Sequence, residues 1–218
     1  ELIARIVPKH FPSDVVRVFE GDGNTAMELL KEPFDHIFFT GGSSIGRKVM
    51  HAAAEHLTPV TLELGGKCPA IVLKEADLEV TAKRLIWGKG LNAGQTCVAP
   101  NHLLIQDEIS EPLLKAMKKA LLDFYGEDPL NSPDLARIIN NHHFNRLKKL
   151  LERARQEGQI LFGGQVDDQK CRIAPTLLSI NDRNDPLMAE EIFGPLLPIQ
   201  KIPDLESALT SVRQQPRP

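Results

Sequence analysis

The sequence predicts an α/β fold in two lobes, with a parallel sheet in the first. Three observations carry this reading. Over residues 1–64, strand-length apolar runs alternate with stretches of helical period. The links between them are short, which places successive strands parallel and joins them by right-handed crossovers. Beyond a glycine-marked break at 63–66, strands and helices follow one another in a more mixed order.

The elements follow in turn. The chain opens on what reads as the tail of a helix. "VVRVFEG" at 15–21 is a short β-branched run closed by glycine, the pattern of a strand. "NTAMELLKE" at 24–32 has an Asn cap and apolar residues at helical spacing. "HIFFT" at 36–40 is a continuous apolar run, as in a strand covered on both faces. Residues 43–57 place Ile45, Val49, Ala52, Ala53 and His56 near one helical face. "VTLEL" at 60–64 returns to strand after Pro59. In the second part, 70–73 and 102–106 read as strands, and 77–91 as a helix capped by Asp77. A long helix runs over 110–125, with Leu113, Leu114, Met117, Leu121 and Phe124 on its stripe. A loop rich in Pro, Asn and Asp follows at 126–134, then a basic amphipathic helix at 141–156. "QILFGG" and "RIAPTLLSI" read as strands. There is no internal repeat.

Composition narrows the function classes. The chain has 218 residues, 42% hydrophobic and 25% charged, which suits a globular protein with a sizeable core. The net charge of −3 and the lack of a basic arm argue against nucleic acid as a partner. No apolar run approaches the ~20 residues that span a bilayer. Cys68, Cys97 and Cys171 are far apart with no C-x-x-C pair, so free thiols in a reducing, cytoplasmic setting are expected. The seven histidines show no metal-binding spacing, and the neighbours His142 and His143 cannot face one ligand from a helix. No metal is expected. The chain starts at Glu1 and stops at "RQQPRP", which suggests a piece of a larger protein.

Four stretches carry chemistry. In "FFTGGSSIG" (38–46) a strand ends, small residues turn, and a helix begins, which puts backbone N–H groups where a phosphate can sit. Gly41, Gly42 and Gly46 do not match G-x-G-x-x-G, and taken alone the stretch reads first as a plain glycine-rich strand-to-helix turn. In "LELGGK" (62–67), Glu63 stands inside an apolar strand. It is either an edge carboxylate that reaches water or a general base. In "NAGQTCVAP" (92–100), Cys97 lies in a glycine-loosened turn, where free backbone donors could hold an oxyanion. Taken alone it is as readily a small buried hydrophobe as a nucleophile. Cys68 and Cys171 sit in strand-like apolar surroundings and read as structural. In "EEIFGPLLPI" (190–199), Glu190 and Glu191 abut an aromatic and a rigid turn, so one of them could reach a ligand hydroxyl.

Together, in order and spacing, "FFTGGSSIG", "LTPVTLELGGK", "NAGQTCVAP" and "EEIFGP" resemble the signature blocks of the aldehyde dehydrogenase superfamily. "FYGEDPLNSPDLARIIN" and "APTLL" are similar to its class 3 branch, which handles fatty, aromatic and coniferyl-type aldehydes. The resemblance covers essentially the whole chain, and the chain covers about half of such an enzyme. It implies the end of a Rossmann-type coenzyme domain at 1–62, then an α/β catalytic domain from 63 to 218. It implies Cys97 as nucleophile and Glu63 as general base. NAD or NADP contacts fall on Thr40, Gly41, Gly42, Ser43 and Gly46, with Glu191 on the nicotinamide ribose and Phe193 packed nearby. Gly42 departs from the Ser or Asn common in the family at that point. The family places a further oxyanion amide upstream of Glu1. A glutamate at position 63 favours hydrolysis to a free acid over transfer to coenzyme A. The resemblance also implies an aldehyde substrate and a homodimer.

Two other classes compete. A catalytically silent dinucleotide-binding or structural module could share the fold. A cysteine hydrolase would need a histidine base near Cys97, and His102, the nearest in sequence, begins a predicted strand with no Asn or Asp context to complete a triad.

Overall fold

The computed structural model describes residues 1–181 and 184–215. The chain divides into two compact units, Glu1–Leu64 and Gly65–Pro218.

The first unit contains α1 (Leu2–His10), α2 (Gly23–Leu29), β1 (Ile37–Gly41), α3 (Ser43–Ala54) and β2 (Val60–Leu64). β1 and β2 pair in parallel, from Ile37 opposite Val60 to Gly41 opposite Leu64, with α3 as their crossover. Val49 and Ala53 of α3 are buried, as the helical stripe requires, whereas Ile45 and His56 are exposed. Gly46 is buried because α3 passes close to β2, and a Cβ there would lie 2.8 Å from Leu64 Cδ2. Thr58 donates its hydroxyl to the Phe34 carbonyl at 2.8 Å and ties the entry of β2 to that of β1.

Three expectations change in this unit. Residues 15–21 pair with no strand, so the β-branched run forms none, and a ladder needs a neighbour to satisfy its amides. The cap of α2 is Asp22, whose carboxylate accepts from the amides of Asn24 (2.9 Å) and Thr25 (3.3 Å). β1 is not covered on both faces. Its burial alternates and Phe38 is 65% exposed, because a two-stranded sheet with one crossover helix shields one side.

The second unit holds β3 (Pro69–Val72), α4 (Leu78–Gly90), β4 (His102–Gln106), α5 (Ser110–Tyr125), α6 (Asn141–Gln156), β5 (Ile160–Phe162), β6 (Val166–Asp167), β7 (Arg172–Ile173), β8 (Thr176–Ile180), β9 (Leu196–Ile202) and α7 (Leu205–Arg213). Its main sheet runs β3-β4-β9-β8-β5, parallel except where β5 joins β8. β6 and β7 make a small separate ribbon. β4 shows why a continuous apolar run marks a central strand. Leu103 and Ile105 enter the large core beneath α4 and α5, while Leu104 enters a second cluster with Ile202 of β9 and Ala208 of α7. On α6, Phe144, Leu147, Leu151 and Ala154 form the buried stripe, and Asn140 caps it by accepting from the His143 amide at 2.9 Å.

"RIAPTLLSI" is two strands rather than one. Pro175 has no N–H for a ladder, and the Thr176 hydroxyl turns back to the Ala174 carbonyl at 2.7 Å. The fold supplies α7, which the sequence reading did not separate.

Candidate active site

The Cys97 turn begins where α4 ends. Asn92 (φ 51°), Ala93 (φ 52°) and Gly94 (φ 72°) follow one another in the left-handed region. For Asn92 and Ala93 that conformation costs about 1–3 kcal/mol each, so the surroundings must enforce it. Gln95 does so. Its Nε2 donates to the carbonyls of Asn92 (3.0 Å) and Arg137 (3.1 Å), and its Oε1 accepts from the Ile139 amide at 2.9 Å. Asn92 Nδ2 returns a bond to the Gln95 carbonyl at 3.1 Å. The sequence pattern marked the turn but not this buried clamp, and nothing local to "GQTC" signals a partner forty residues away.

Gly94 is required on two counts. Its φ is left-handed, and a Cβ would fall on the Gly194 carbonyl. Gly94→Ala is expected to lower stability by at least ~2 kcal/mol, read by urea unfolding, and an unchanged midpoint would contradict this packing.

The turn presents Cys97 to solvent. Among the described residues no hydrogen bond engages its sulfur, and its own backbone N–H has no partner. An exposed thiol thus stands beside an unclaimed amide donor, the two groups that covalent attack on a carbonyl would call on. The bland alternative, a buried hydrophobe, does not apply to an exposed residue.

Cys68 is not in a strand. It precedes β3, and its thiol donates to the Cys97 carbonyl at 3.5 Å. Cys171 lies in a left-handed turn (φ 50°) ahead of β7, its sulfur 3.0 Å from Asn141 Oδ1.

Glu191 stands behind the same turn. The Gly66 amide hydrogen-bonds its carboxylate, and a Cβ on Gly65 would fall on that carboxylate. Gly66 also approaches the turn, with a built Cβ 3.8 Å from the Cys97 carbonyl oxygen. Only the approach at Gly65 needs a glycine; at Gly66 a Cβ would make ordinary van der Waals contact. Burial pushes the Glu191 carboxyl above the usual carboxylate range, against the pull of the Gly66 amide, Lys89 and Arg146. The backbone here is pinned by the Arg146 guanidinium, which donates to the Ile192 carbonyl at 2.5 Å, and by Asn101 Oδ1, which accepts from the Ile192 amide at 2.8 Å. Phe193 is held at φ 46° and is half-buried.

Lys89 was not foreseen. Only 4% exposed, it carries an ammonium into this region, and burial lowers its pKa to about 7 against the pull of Glu191 and Cys68. A lysine in an amphipathic helix ordinarily reads as solvated, so the sequence carried no signal. Unfolded, it holds its proton up to about 10.5. Between those values the unfolded chain binds more protons than the folded one, so this group makes stability rise with pH across the window. Lys89→Met is expected to remove that rise. The difference in unfolding free energy between wild type and variant, measured from pH 7 to 10, checks it, and a constant difference would refute it.

In the first unit, Thr40 and Glu63 are register partners at the ends of β1 and β2, and both are exposed. Glu63 therefore reaches water rather than lying buried in its strand. α3 starts at Gly42 with no side-chain cap, and a Cβ on Gly42 would meet nothing within 4 Å. Gly41 and Ser43 flank this open helix start. Gly46 instead serves the packing of α3 on Leu64.

His102, the histidine nearest Cys97 in sequence, offers it no base. His102 is fully buried, neither ring nitrogen has a partner, and burial with Lys67 and Lys89 nearby lowers its pKa to about 4. Among the described residues no group of three His, Cys, Asp or Glu could hold a metal ion, and no helix is long and apolar enough to cross a membrane.

Residues 1–215 match the profile of the aldehyde dehydrogenase family. The chain belongs to that family. Among curated relatives of this aldehyde dehydrogenase chain, "Aldehyde dehydrogenase, dimeric NADP-preferring" of Rattus norvegicus is 45% identical over all 218 residues, which span 47% of its length. "Aldehyde dehydrogenase family 3 member H1" of Arabidopsis thaliana is 44% identical, with 45% of its length spanned. The chain therefore spans about half the length of the relatives it matches. Among solved structures, the substrate-bound Staphylococcus aureus AldH superposes with a TM-score of 0.95 at 41% identity, over the whole chain and 47% of that protein. A Mycobacterium tuberculosis aldehyde dehydrogenase complexed with NAD+ gives 0.85 at 30% identity, over 94% of this chain and 44% of that one.

Proposed function

We propose that the enzyme containing this chain oxidises an aldehyde to a carboxylic acid with NAD or NADP. The supporting observation is Cys97, an exposed thiol on an enforced turn with its own amide unclaimed. The Cys97 thiolate adds to the aldehyde carbon, and its amide donates to the resulting oxyanion. When bound, the nicotinamide supplies the acceptor for the hydride that leaves this carbon. The acyl group then remains on Cys97 as a thioester. Glu63, exposed at the end of its strand, takes a proton from water, and the hydroxide attacks the thioester carbon. Collapse returns the thiolate and releases the acid.

The residues present fit a dinucleotide. The uncapped start of α3 at Gly42 leaves an open helix N-terminus for a pyrophosphate, beside Thr40, Gly41 and Ser43. Gly46 would act by packing, holding α3 against its strand. Glu191, partly buried and gripped by the Gly66 amide, is the carboxylate for a ribose hydroxyl, with Phe193 beside it. Residues 1–62 are the dinucleotide-binding segment in this scheme, and 63–218 the catalytic one. We also propose a homodimer, in keeping with the word "dimeric" in the name of the rat relative. A cytoplasmic setting rests on the three free cysteines.

The test is a panel of aliphatic and aromatic aldehydes on the full-length enzyme, following absorbance at 340 nm with each coenzyme. Coenzyme-dependent turnover of at least one class is expected. No absorbance change with any aldehyde would overturn the proposal.

A further inference from the structure

We propose that Cys68 is a resolving thiol for Cys97, and that under hydroperoxide the two close a reversible disulfide that shields the nucleophile from over-oxidation. The part about shielding a nucleophile rests on the function proposed above; the bond itself does not.

The geometry begins with the contact between Cys68 Sγ and the Cys97 carbonyl oxygen, 3.5 Å long. Covalent geometry sets a carbonyl oxygen about 2.4 Å from its own Cα, so the Cys68 sulfur lies within about 6 Å of the Cys97 Cα. In a disulfide each sulfur lies closer than this to its partner's Cα, and the two Cα atoms stand about 4.4–6.8 Å apart. Closing the bond therefore takes side-chain rotation together with an inward shift of the Cys97 turn. Between Gln95 and Asn101 the backbone bond across the shift is the Ala99 amide on the Thr96 carbonyl at 3.0 Å. No hydrogen bond fixes the Cys97 sulfur among the described residues, and the bond from the Cys68 thiol is a weak one. The turn is anchored at Gln95 and again at Asn101, whose amide donates to the Cys68 carbonyl at 2.9 Å. Cys97 lies between these anchors. Gly66 leaves the space beside both residues open, since a built Cβ would lie 3.5 Å from Cys68 Sγ and 3.8 Å from the Cys97 carbonyl oxygen.

Access points the same way. Cys97 is exposed and meets the oxidant first, while Cys68 is half-buried behind it. Cys171 has no comparable approach, its sulfur being taken up with Asn141.

The steps balance. The Cys97 thiolate attacks one oxygen of a hydroperoxide. The O–O bond breaks, the alcohol or water leaves, and Cys97 becomes a sulfenic acid. The Cys68 thiolate then attacks that sulfur. The S–S bond forms, the S–O bond breaks, and hydroxide departs as water. The two thiols lose two electrons, and the peroxide gains them.

The experiment treats the reduced full-length enzyme with hydrogen peroxide, blocks remaining thiols, and maps the digest by mass spectrometry. A peptide pair joined through Cys68 and Cys97 is expected, and dithiothreitol should restore most of the activity lost. In Cys68→Ser and Cys68→Ala, Cys97 should advance to the sulfinic acid. The fraction of each variant's own starting activity regained with dithiothreitol should then fall at least about fivefold below wild type. Cys171→Ser should keep the joined pair. Oxidised Cys97 in wild type without the pair, equal recovery in the Cys68 variants, or loss of the pair in Cys171→Ser would each overturn the inference. A joined pair that leaves turnover untouched would uphold the bond and instead remove Cys97 from the catalytic role.

Discussion

Cys97→Ala in the full-length enzyme is expected to lower kcat/KM for an aldehyde by at least ~10⁴-fold. The loss follows from what the side chain is asked to do. Without sulfur no covalent adduct forms, and the carbon that must release hydride never becomes tetrahedral at this position. The enforced turn is held by Gln95 and the Gly94–Gly194 approach, neither of which uses the sulfur. The variant should therefore fold as wild type does, and its coenzyme affinity, read by fluorescence titration, should hold. Turnover within tenfold of wild type would end the covalent reading.

Glu63→Gln separates the second half of the reaction from the first. The amide keeps the shape of the carboxylate but cannot take a proton from water. Formation of the thioester on Cys97 is untouched, whereas its hydrolysis slows by about 10²–10⁴-fold. Rapid mixing should show a burst approaching one reduced coenzyme per active site, then a slow steady state. The exposure of Glu63 on its strand gives the residue the access to water this requires. A variant with no burst and an unslowed steady state would move the base elsewhere. A variant slowed in the burst itself would place Glu63 in the first half of the reaction.

Much of the fold was legible because its elements obey local rules. β4, α5 and α6 have the bounds expected of them, each being bracketed by a plain signal: an apolar run of strand length, a stripe repeating at three and four residues, an Asn cap. Where the reading failed, the deciding partner was remote or missing. Residues 15–21 look like a strand but have nothing to pair with. Phe38 looks buried because its neighbours are apolar, yet only one face of β1 is covered. The candidate site divides the same way. A cysteine in a glycine-loosened turn can be seen in one line of sequence. The tertiary contacts that shape its setting cannot. Gln95 reaches Arg137 and Ile139, Lys89 is buried near Glu191, and the Cys68 thiol touches the Cys97 carbonyl. Each depends on segments that meet only after folding.

The Gln95 side chain spends both ends of its amide, two donations from nitrogen and one acceptance by oxygen. Slow loss of ammonia from that group, the familiar ageing of amides in storage, would leave a carboxylate facing two carbonyl oxygens. Attraction becomes repulsion at the point that keeps three residues left-handed. Shelf life of the Cys97 turn is thus tied to the chemical durability of one neutral side chain.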